Sequence, residues 1–267
     1  MKISDVTVYK VKPRWICVKI STDEGIEGWG EMISGTKTET VVAGAYEIGN
    51  RLIGRNPFEI ERLFQEMHRS FFRGGPINGT IVSGLEMALW DIKGKAFNVP
   101  VYELLGGAAR DKIKVYSWIG GDRPSEVAEQ AQDRFDRGFT AVKMNATEEL
   151  HYIDSYQKVD EVVERVASIR ERFGDAMDIG VDFHGRVHKP MAKVLAKALE
   201  PFHPMFLEEV VLPENEEHFK EVADSVAVPL ATGERLYTRW QFKNLFKQGT
   251  VDIIQPDVAL CGGILET

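Results

Sequence analysis

The first 32 residues alternate between apolar and polar positions, a pattern typical of strands with one buried face. Three segments carry the alternation, ISDVTVYKV, WICVKISTD and IEGWGE. The polar stretch at residues 21–25 supplies the turn between the second and the third segment. The pattern therefore predicts a small antiparallel sheet at the start of the chain.

The following residues change to a helical period. Helices are predicted at about 38–53, 57–71 and 79–97. In the third of these, apolar residues recur at i, i+3, i+4 and i+7 and should form one buried face: they are Leu85, Ala88, Leu89 and Ile92. A glycine pair at 106–107 interrupts the pattern, so we predict a first, α+β domain over residues 1–111.

From Lys112 onward, short apolar runs alternate strictly with helical stretches, and this order predicts a parallel α/β sheet. The predicted strands are 114–120, 140–145, 177–182, 204–208, 228–234 and 251–257. The predicted helices lie near 124–137, 151–173, 189–200, 214–225 and 238–248. We therefore predict a second domain over residues 112–267, built from βα units.

Three acidic residues end three successive strands of this series. Asp182 lies 26 residues before Glu208, and Glu208 lies 26 residues before Glu234. One βα unit of a parallel barrel takes roughly 25–30 residues, and active-site groups sit at the carboxyl ends of the strands. Three carboxylates that meet there would be hard oxygen ligands, which favour Mg²⁺. The simpler alternative is that all three are ordinary surface acids.

His184 lies two positions after Asp182, so the two side chains share one face of the strand end. From this position alone, His184 could be a metal ligand, an acid–base group or a packing residue. The other five histidines of the chain have no comparable context.

Composition and charge narrow the class of protein. Apolar residues make up 43% of the 267 residues, which is ordinary for a globular enzyme. The net charge of −8 argues against nucleic acid or an anionic membrane as a partner. The first residues lack the apolar core of a signal peptide, and Cys17 and Cys261 have no metal-binding spacing. We therefore expect a cytoplasmic protein with reduced cysteines.

Segments along essentially the whole chain resemble the enolase superfamily, and within it the mandelate racemase subgroup. DFHGR and YSWIGGDRP are the most specific of them, whereas GLEMALWDIKGK marks only the broader subgroup. The resemblance implies an enolase-type α+β capping domain over residues 1–111. It also implies a modified TIM (β/α) barrel over residues 112–267, with its first six βα units and C-terminally incomplete. The remaining segments are PRWICVKISTDEGIEGWGE, RGGPINGTIVS, VKMN, FLEEV, ATGER and IIQPDVALCGGI.

The resemblance also implies roles for single residues. Asp182, Glu208 and Glu234 occupy the positions of the family's Mg²⁺ ligands. Glu208 is chosen over Glu209 because the first Glu of the pair is the ligand in this subgroup. The chain departs from the subgroup at Val210, where proline is usual.

The same resemblance makes His184 a catalytic acid, and imidazolium is a suitable proton donor to a departing hydroxyl near neutral pH. Lys143 should place positive charge near a substrate carboxylate, and the alternative is that it merely caps a strand. Family members with a lysine base carry Lys-x-Lys at this point, whereas here Asn145 replaces the second lysine. Asparagine cannot act as a base, which argues against a two-base racemase. Asn145 is kept as a predicted substrate contact.

The implied reaction is Mg²⁺-dependent dehydration of a sugar acid, through α-proton abstraction and a metal-stabilised enediolate, to a 2-keto-3-deoxy acid. D-Galactonate is the first expected substrate, and another C5 or C6 aldonate is the alternative. Discriminating contacts are expected near Arg14–Trp15 and Ser34–Thr38. The resemblance further implies a homo-oligomer in the complete protein, and a racemase or cycloisomerase is the alternative enzyme class.

Asp257 ends the sixth predicted strand of the second domain. In the family this residue orients a histidine base some thirty residues further on, beyond the last residue of the sequence, Thr267. The sequence therefore carries one further alternative, namely an inactive fragment that lacks the base.

Overall fold

The structure is a computed structural model that describes residues 1–33, 35–69, 74–120, 126–147 and 150–267. It divides into two compact units. One comprises Met1–Asp111, Leu236–Lys243 and Pro256–Thr267, and the other comprises Lys112–Arg235 and Asn244–Gln255. The predicted boundary between residues 111 and 112 is also a boundary between the two units. The prediction placed all later residues in the second domain, whereas Leu236–Lys243 and Pro256–Thr267 belong to the first unit.

The last residues belong to the first unit because a buried carboxylate holds them there. Glu86 accepts hydrogen bonds from the backbone N–H groups of Ile264 and Leu265, at 2.8 and 2.9 Å, and from the indole of Trp90 at 2.6 Å. Burial raises the pKa of Glu86, and these three donors partly offset that rise. Sequence periodicity carries no signal for such a long-range contact.

The first unit begins with the predicted antiparallel sheet, which has the order β1-β2-β3. Its strands are β1 (Ile3–Val11), β2 (Trp15–Thr22) and β3 (Glu27–Met32). Alternate residues of β2 are fully buried, namely Ile16, Val18 and Ile20. The apolar positions of the sequence pattern are therefore the residues that face the core of the first unit.

Among the described residues between β3 and Asp111, four α-helices follow. They are α1 (Thr38–Gly49), α2 (Ile60–His68), α3 (Pro76–Phe97) and α4 (Val101–Leu104), with a 3₁₀ turn at Asn50–Leu52. Helix α3 starts three residues earlier than predicted, because proline is well tolerated in the first turn of a helix. The predicted buried face of α3 is confirmed, since all four of its residues are inaccessible to solvent.

Gly30 allows β3 to approach α3 closely. A Cβ atom added at Gly30 would lie 1.9 Å from the backbone oxygen of Gly84 and 2.8 Å from its carbonyl carbon. Because both atoms are backbone, the helix as a whole would have to move. We expect Gly30→Ala to lower the free energy of unfolding by ~3 kcal/mol or more, the upper end for overpacking.

Urea unfolding followed by circular dichroism measures this effect. Glu31→Ala, at the exposed next residue of β3, is the control and should change the midpoint little. An unchanged midpoint in Gly30→Ala would mean that the close approach of strand and helix is not what stabilises this unit.

The second unit is a parallel sheet in which each strand pairs with the next, in the order β4-β5-β6-β7-β8-β9. This sequential order is the one found in (β/α) barrels. The strands are β4 (Ser117–Ile119), β5 (Ala141–Asn145), β6 (Asp178–Asp182), β7 (Phe206–Glu208), β8 (Leu230–Thr232) and β9 (Ile253–Ile254). All six strands are shorter than predicted, and Pro229, Gly233 and Pro256 interrupt the extended segments of the last two.

In chain order the helices lie between these strands, as predicted, and the residues of the last helix up to Lys243 belong to the first unit. The helices are α5 (Val127–Asp136), α6 (Tyr156–Phe173), α7 (Lys189–Leu199), α8 (Phe219–Ala223) and α9 (Arg239–Gln248), with 3₁₀ turns at Gly174–Ala176, Glu200–Phe202 and Pro213–His218. The core lies between sheet and helices and includes Val142, Ile179 and Leu207. Across the described ranges, no helix is long and apolar enough to cross a membrane.

Candidate active site

The evenly spaced acids lie at the carboxyl ends of three successive strands. Asp182 is the last residue of β6 and Glu208 is the last residue of β7, and the register pairs them directly. Both side chains are buried. Glu234 follows β8 by two residues, with 34% of its side chain exposed. The structure thus places all three where side chains of a parallel sheet share one edge.

Lys143, in the middle of β5, points at the same group of acids. Its Nζ donates to both carboxylate oxygens of Glu208 at 2.7 Å and lies 3.3 Å from Oδ2 of Asp182. The rings of Tyr116 and Trp118 cover the ammonium, with their centroids 5.7 and 5.2 Å from Nζ. Lys143 is therefore a buried cation between two buried carboxylates, with aromatic faces beside it.

Burial and the charges of neighbouring groups shift the pKa values in this group. Burial raises the pKa of Glu208, and the nearby charge of Asp182 raises it further, against the opposing effect of Lys143. Burial and then Asp182 also raise the pKa of Glu234. Burial alone would lower the pKa of Lys143, but Asp182 and Glu208 raise it above its ordinary value. The anionic forms of Glu208 and Glu234 are thus disfavoured here, so a further cation would stabilise them.

The donor atoms and the charge of this group fit a small, hard divalent cation. All the predicted ligand atoms are carboxylate oxygens, which are the donors Mg²⁺ prefers. Across the described residues, however, no three His, Cys, Asp or Glu side chains converge in a ligand geometry. The ammonium of Lys143 lies where the oxygens of Asp182 and Glu208 approach each other. The ligand set thus stays a prediction that the chemistry supports.

His184 lies beside the acids, as its spacing from Asp182 predicted. Its backbone N–H donates to Oδ1 of Asp182 at 2.7 Å, and its Nδ1 is 3.3 Å from Oδ2. Nδ1 is also 4.0 Å from Oε1 of Glu234. With 31% of its side chain exposed, the imidazole can contact both the acids and a small molecule. This position is suitable for a proton donor, and the role stays a prediction.

Glu208 and Glu209 point to different sides of the strand end. Oε1 of Glu209 accepts hydrogen bonds from the hydroxyl of Thr232 at 2.7 Å and from the N–H of Gly233 at 3.1 Å. Glu209 is therefore engaged by Thr232 and Gly233 rather than by Lys143, and the choice of Glu208 as the ligand stays a prediction. Val210, where the subgroup usually has proline, is fully buried.

Sequence reasoning missed three residues of the site. Gln255, directly after β9, donates from Nε2 to Oε2 of Glu208 at 3.0 Å. Tyr116 and Trp118 cover Lys143. The available signal was that all three lie within predicted strands and within segments that carry the resemblance.

The remaining predicted residues belong partly to this unit and partly to the other. Asn145, the last residue of β5, does lie here, buried and paired in register with Asp182. Arg14 and Asp257 belong to the other unit. Arg14 is exposed in the turn between β1 and β2, and Oδ1 of Asp257 accepts the N–H of Ala259 at 2.9 Å. Their roles stay predictions, and Ser34, in the second predicted loop, lies outside the described residues.

Two family profiles match the chain. The profile of the mandelate racemase / muconate lactonizing enzyme N-terminal domain matches residues 1–106. The profile described as enolase C-terminal domain-like matches residues 126–267. Together they cover most of both predicted domains.

Curated relatives match over the whole chain. D-Galactonate dehydratases of Klebsiella pneumoniae (strain 342) and Pectobacterium atrosepticum are 50% and 49% identical to it. The chain spans 70% of the length of each of these relatives.

Solved structures show the same fold. A member of the enolase superfamily from Salmonella Typhimurium is 31% identical, with a TM-score of 0.91 over 99% of this chain and 75% of its own. A candidate galactarate dehydratase of Agrobacterium radiobacter, crystallised with sodium and L-malate, is 33% identical. Its TM-score is 0.90 over 100% of this chain and 69% of its own. The predicted enolase-type α/β fold is thereby confirmed.

Proposed function

The chain belongs to the mandelate racemase / muconate lactonizing enzyme family of the enolase superfamily, and from this premise we propose that it dehydrates a sugar acid, with D-galactonate as the substrate. Its D-galactonate dehydratase relatives are hydro-lyases and match over its full length, so the chain is an enzyme of that class. The relatives' names support the substrate, and the observation that supports the mechanism is the group formed by Lys143, Asp182, Glu208 and His184.

Asp182, Glu208 and Glu234 would hold Mg²⁺. When bound, the metal would neutralise the substrate carboxylate and make the α-proton more acidic. Gln255 would keep the Glu208 carboxylate oriented through its hydrogen bond to Oε2.

The protein's own residues would bind the substrate and move one proton. The Lys143 ammonium would attract the substrate carboxylate, and the rings of Tyr116 and Trp118 would exclude water from it. His184 would give a ring proton to the C3 hydroxyl, which leaves as water while the α-proton passes to a base. The resulting enol becomes the 2-keto-3-deoxy acid.

The base itself is not supplied by the Lys143 face, because Asn145 stands where a second lysine would be required. Asp257 stays the predicted partner of a histidine base. A homo-oligomeric state and a cytoplasmic location also stay predictions.

The proposal is tested by incubating the full-length enzyme with D-galactonate and with other C5 and C6 aldonates. We expect a 2-keto-3-deoxy acid, detected as its semicarbazone, with the highest kcat/KM for galactonate. EDTA should stop the reaction and Mg²⁺ should restore it. A product formed equally well in EDTA would refute the metal's role, and no product from any aldonate would refute the function.

A further inference from the structure

Arg235 contacts the ends of three successive strands in the second unit. Its Nη2 donates to the backbone oxygen of His184 at 2.8 Å. Its Nε lies 3.3 Å from Oε2 of Glu209, and its Nη2 lies 3.4 Å from Oε1 of Glu234. One guanidinium therefore joins the segments that follow β6, β7 and β8.

Two of these segments have an unusual backbone. His184 and Glu209 have φ angles of 57° and 47°, in the left-handed region that residues other than glycine rarely adopt. Such conformations persist where the surrounding contacts enforce them, and they cluster at functional sites. The two turns are joined, since the N–H of Gly185 donates to the backbone oxygen of Glu209 at 2.9 Å. Arg235 donates a hydrogen bond to the His184 turn and forms an ion pair with the side chain of Glu209 in the other turn.

Glu209 is a fixed anchor for Arg235. Its side chain is buried, and its other oxygen, Oε1, is held by Thr232 and Gly233. A buried carboxylate needs a cation beside it, and Arg235 provides one at the oxygen that those two donors leave. The planar guanidinium can contact a carboxylate and a carbonyl oxygen in fixed directions, which a lysine ammonium cannot reproduce.

We propose that Arg235, anchored on Glu209, is a positioning residue that holds the His184 turn and the Glu234 carboxylate in the arrangement needed for dehydration. The inference rests on the proposed function, because His184 is the proton donor of that reaction. Arg235 acts through His184 and Glu234 rather than on the reacting atoms.

Nuclear magnetic resonance tests the positioning independently of any activity. The full-length protein is labelled with ¹⁵N-histidine and ¹⁵N-glycine at one fixed pH, and His184→Asn assigns the His184 ring signals. Arg235→Met should shift and broaden these signals, and the Gly185 amide should exchange with solvent at least ~10-fold faster. The matched control is Arg170→Met, which removes an arginine bonded to the backbone oxygens of Met177 and Phe202 in the same unit. It should leave the His184 signals unchanged.

Arg235→Lys keeps the positive charge, and it tests whether Arg235 positions His184 if Arg235→Met does not fold. Displaced His184 signals in the lysine variant support the proposal, because one ammonium cannot reach both the carbonyl and the Glu209 carboxylate. His184 signals at their original positions in either folded variant would overturn it.

Kinetics then connect the geometry to the reaction. In Arg235→Lys, kcat for dehydration should fall ~10-fold or more, whereas KM should change less than about threefold, since the loss concerns the transition state. Lack of dehydration by the unaltered enzyme would refute the proposed function and leave the magnetic resonance result standing. An unchanged kcat in a variant with displaced His184 signals would instead refute the positioning role alone.

Discussion

Replacing Glu234 by glutamine is expected to weaken Mg²⁺ binding by ~100-fold or more and to abolish Mg²⁺-dependent activity. The change removes one of three predicted anionic ligands but keeps the size of the side chain. Even residues that only hydrogen-bond to metal ligands typically contribute about 10–100-fold to metal affinity or activity, so the loss of a ligand should cost at least as much. Isothermal titration of the metal-free, full-length protein with Mg²⁺ measures the effect directly. The increase in melting temperature on adding Mg²⁺ should disappear as well.

The same variant should be more stable than the unaltered protein when no metal is present. Burial and the charge of Asp182 raise the pKa of Glu234, so the folded protein holds this proton more tightly than the unfolded chain does. The contribution to stability is present below the ordinary pKa of a glutamate and is lost as pH rises through the raised pKa. Thermal melts in EDTA between pH 4 and 8 should therefore show a smaller loss of stability with rising pH in Glu234→Gln.

Glu216→Gln is the matched control for the two Mg²⁺ measurements, the titration and the Mg²⁺-induced rise in melting temperature. Burial also raises the pKa of Glu216, which lies in the same unit but is not among the predicted ligands. It should keep the Mg²⁺ affinity and the Mg²⁺-induced rise in melting temperature. If Glu234→Gln bound Mg²⁺ as tightly as this control, Glu234 would not be a ligand.

The elements of the fold followed from the sequence because they depend on local pattern. Period-2 alternation placed β1, β2 and β3, and the 3.6 period placed the buried face of α3. Strand–helix alternation also placed the six strands of the second sheet in their order. The even spacing placed the three acids at successive strand ends for the same reason, since one βα unit separates each from the next. What failed was strand length, where proline and glycine ended the pairing earlier than the apolar runs did.

The contacts within the site could not be predicted in the same way. The direction of a side chain beyond a strand end depends on the backbone of the loop, and the left-handed conformations of His184 and Glu209 have no signal in residue type. Arg235 could be identified only after those two turns were placed side by side. The packing of Pro256–Thr267 in the first unit likewise depends on Glu86, which is far earlier in the chain. Local sequence pattern thus predicted the strands that carry the site, whereas the positions of its side chains depend on long-range contacts.

Replacing His184 by asparagine is expected to lower the rate of dehydration by ~10²–10⁴-fold, the usual contribution of a general acid. Asparagine cannot supply the proton that the C3 hydroxyl needs to leave as water. The α-proton goes to a different group, so its exchange with solvent deuterium should continue within a few-fold of the original rate. The two rates are measured in the full-length enzyme with D-galactonate in D₂O, by product formation and by loss of the α-proton signal.

His188→Asn is the control, because His188 is a partly buried histidine of the same unit, four residues later in the chain and outside the group of acids. It should keep both rates. A substrate whose C3 substituent leaves without protonation, such as fluoride, separates the roles further, and His184→Asn should release it nearly as fast as the unaltered enzyme does. Loss of both α-proton exchange and fluoride release would make His184 the base and not the acid. Because Nδ1 of His184 lies 3.3 Å from Asp182, Nε2 is the nitrogen that would give its proton to the substrate if His184 is the acid.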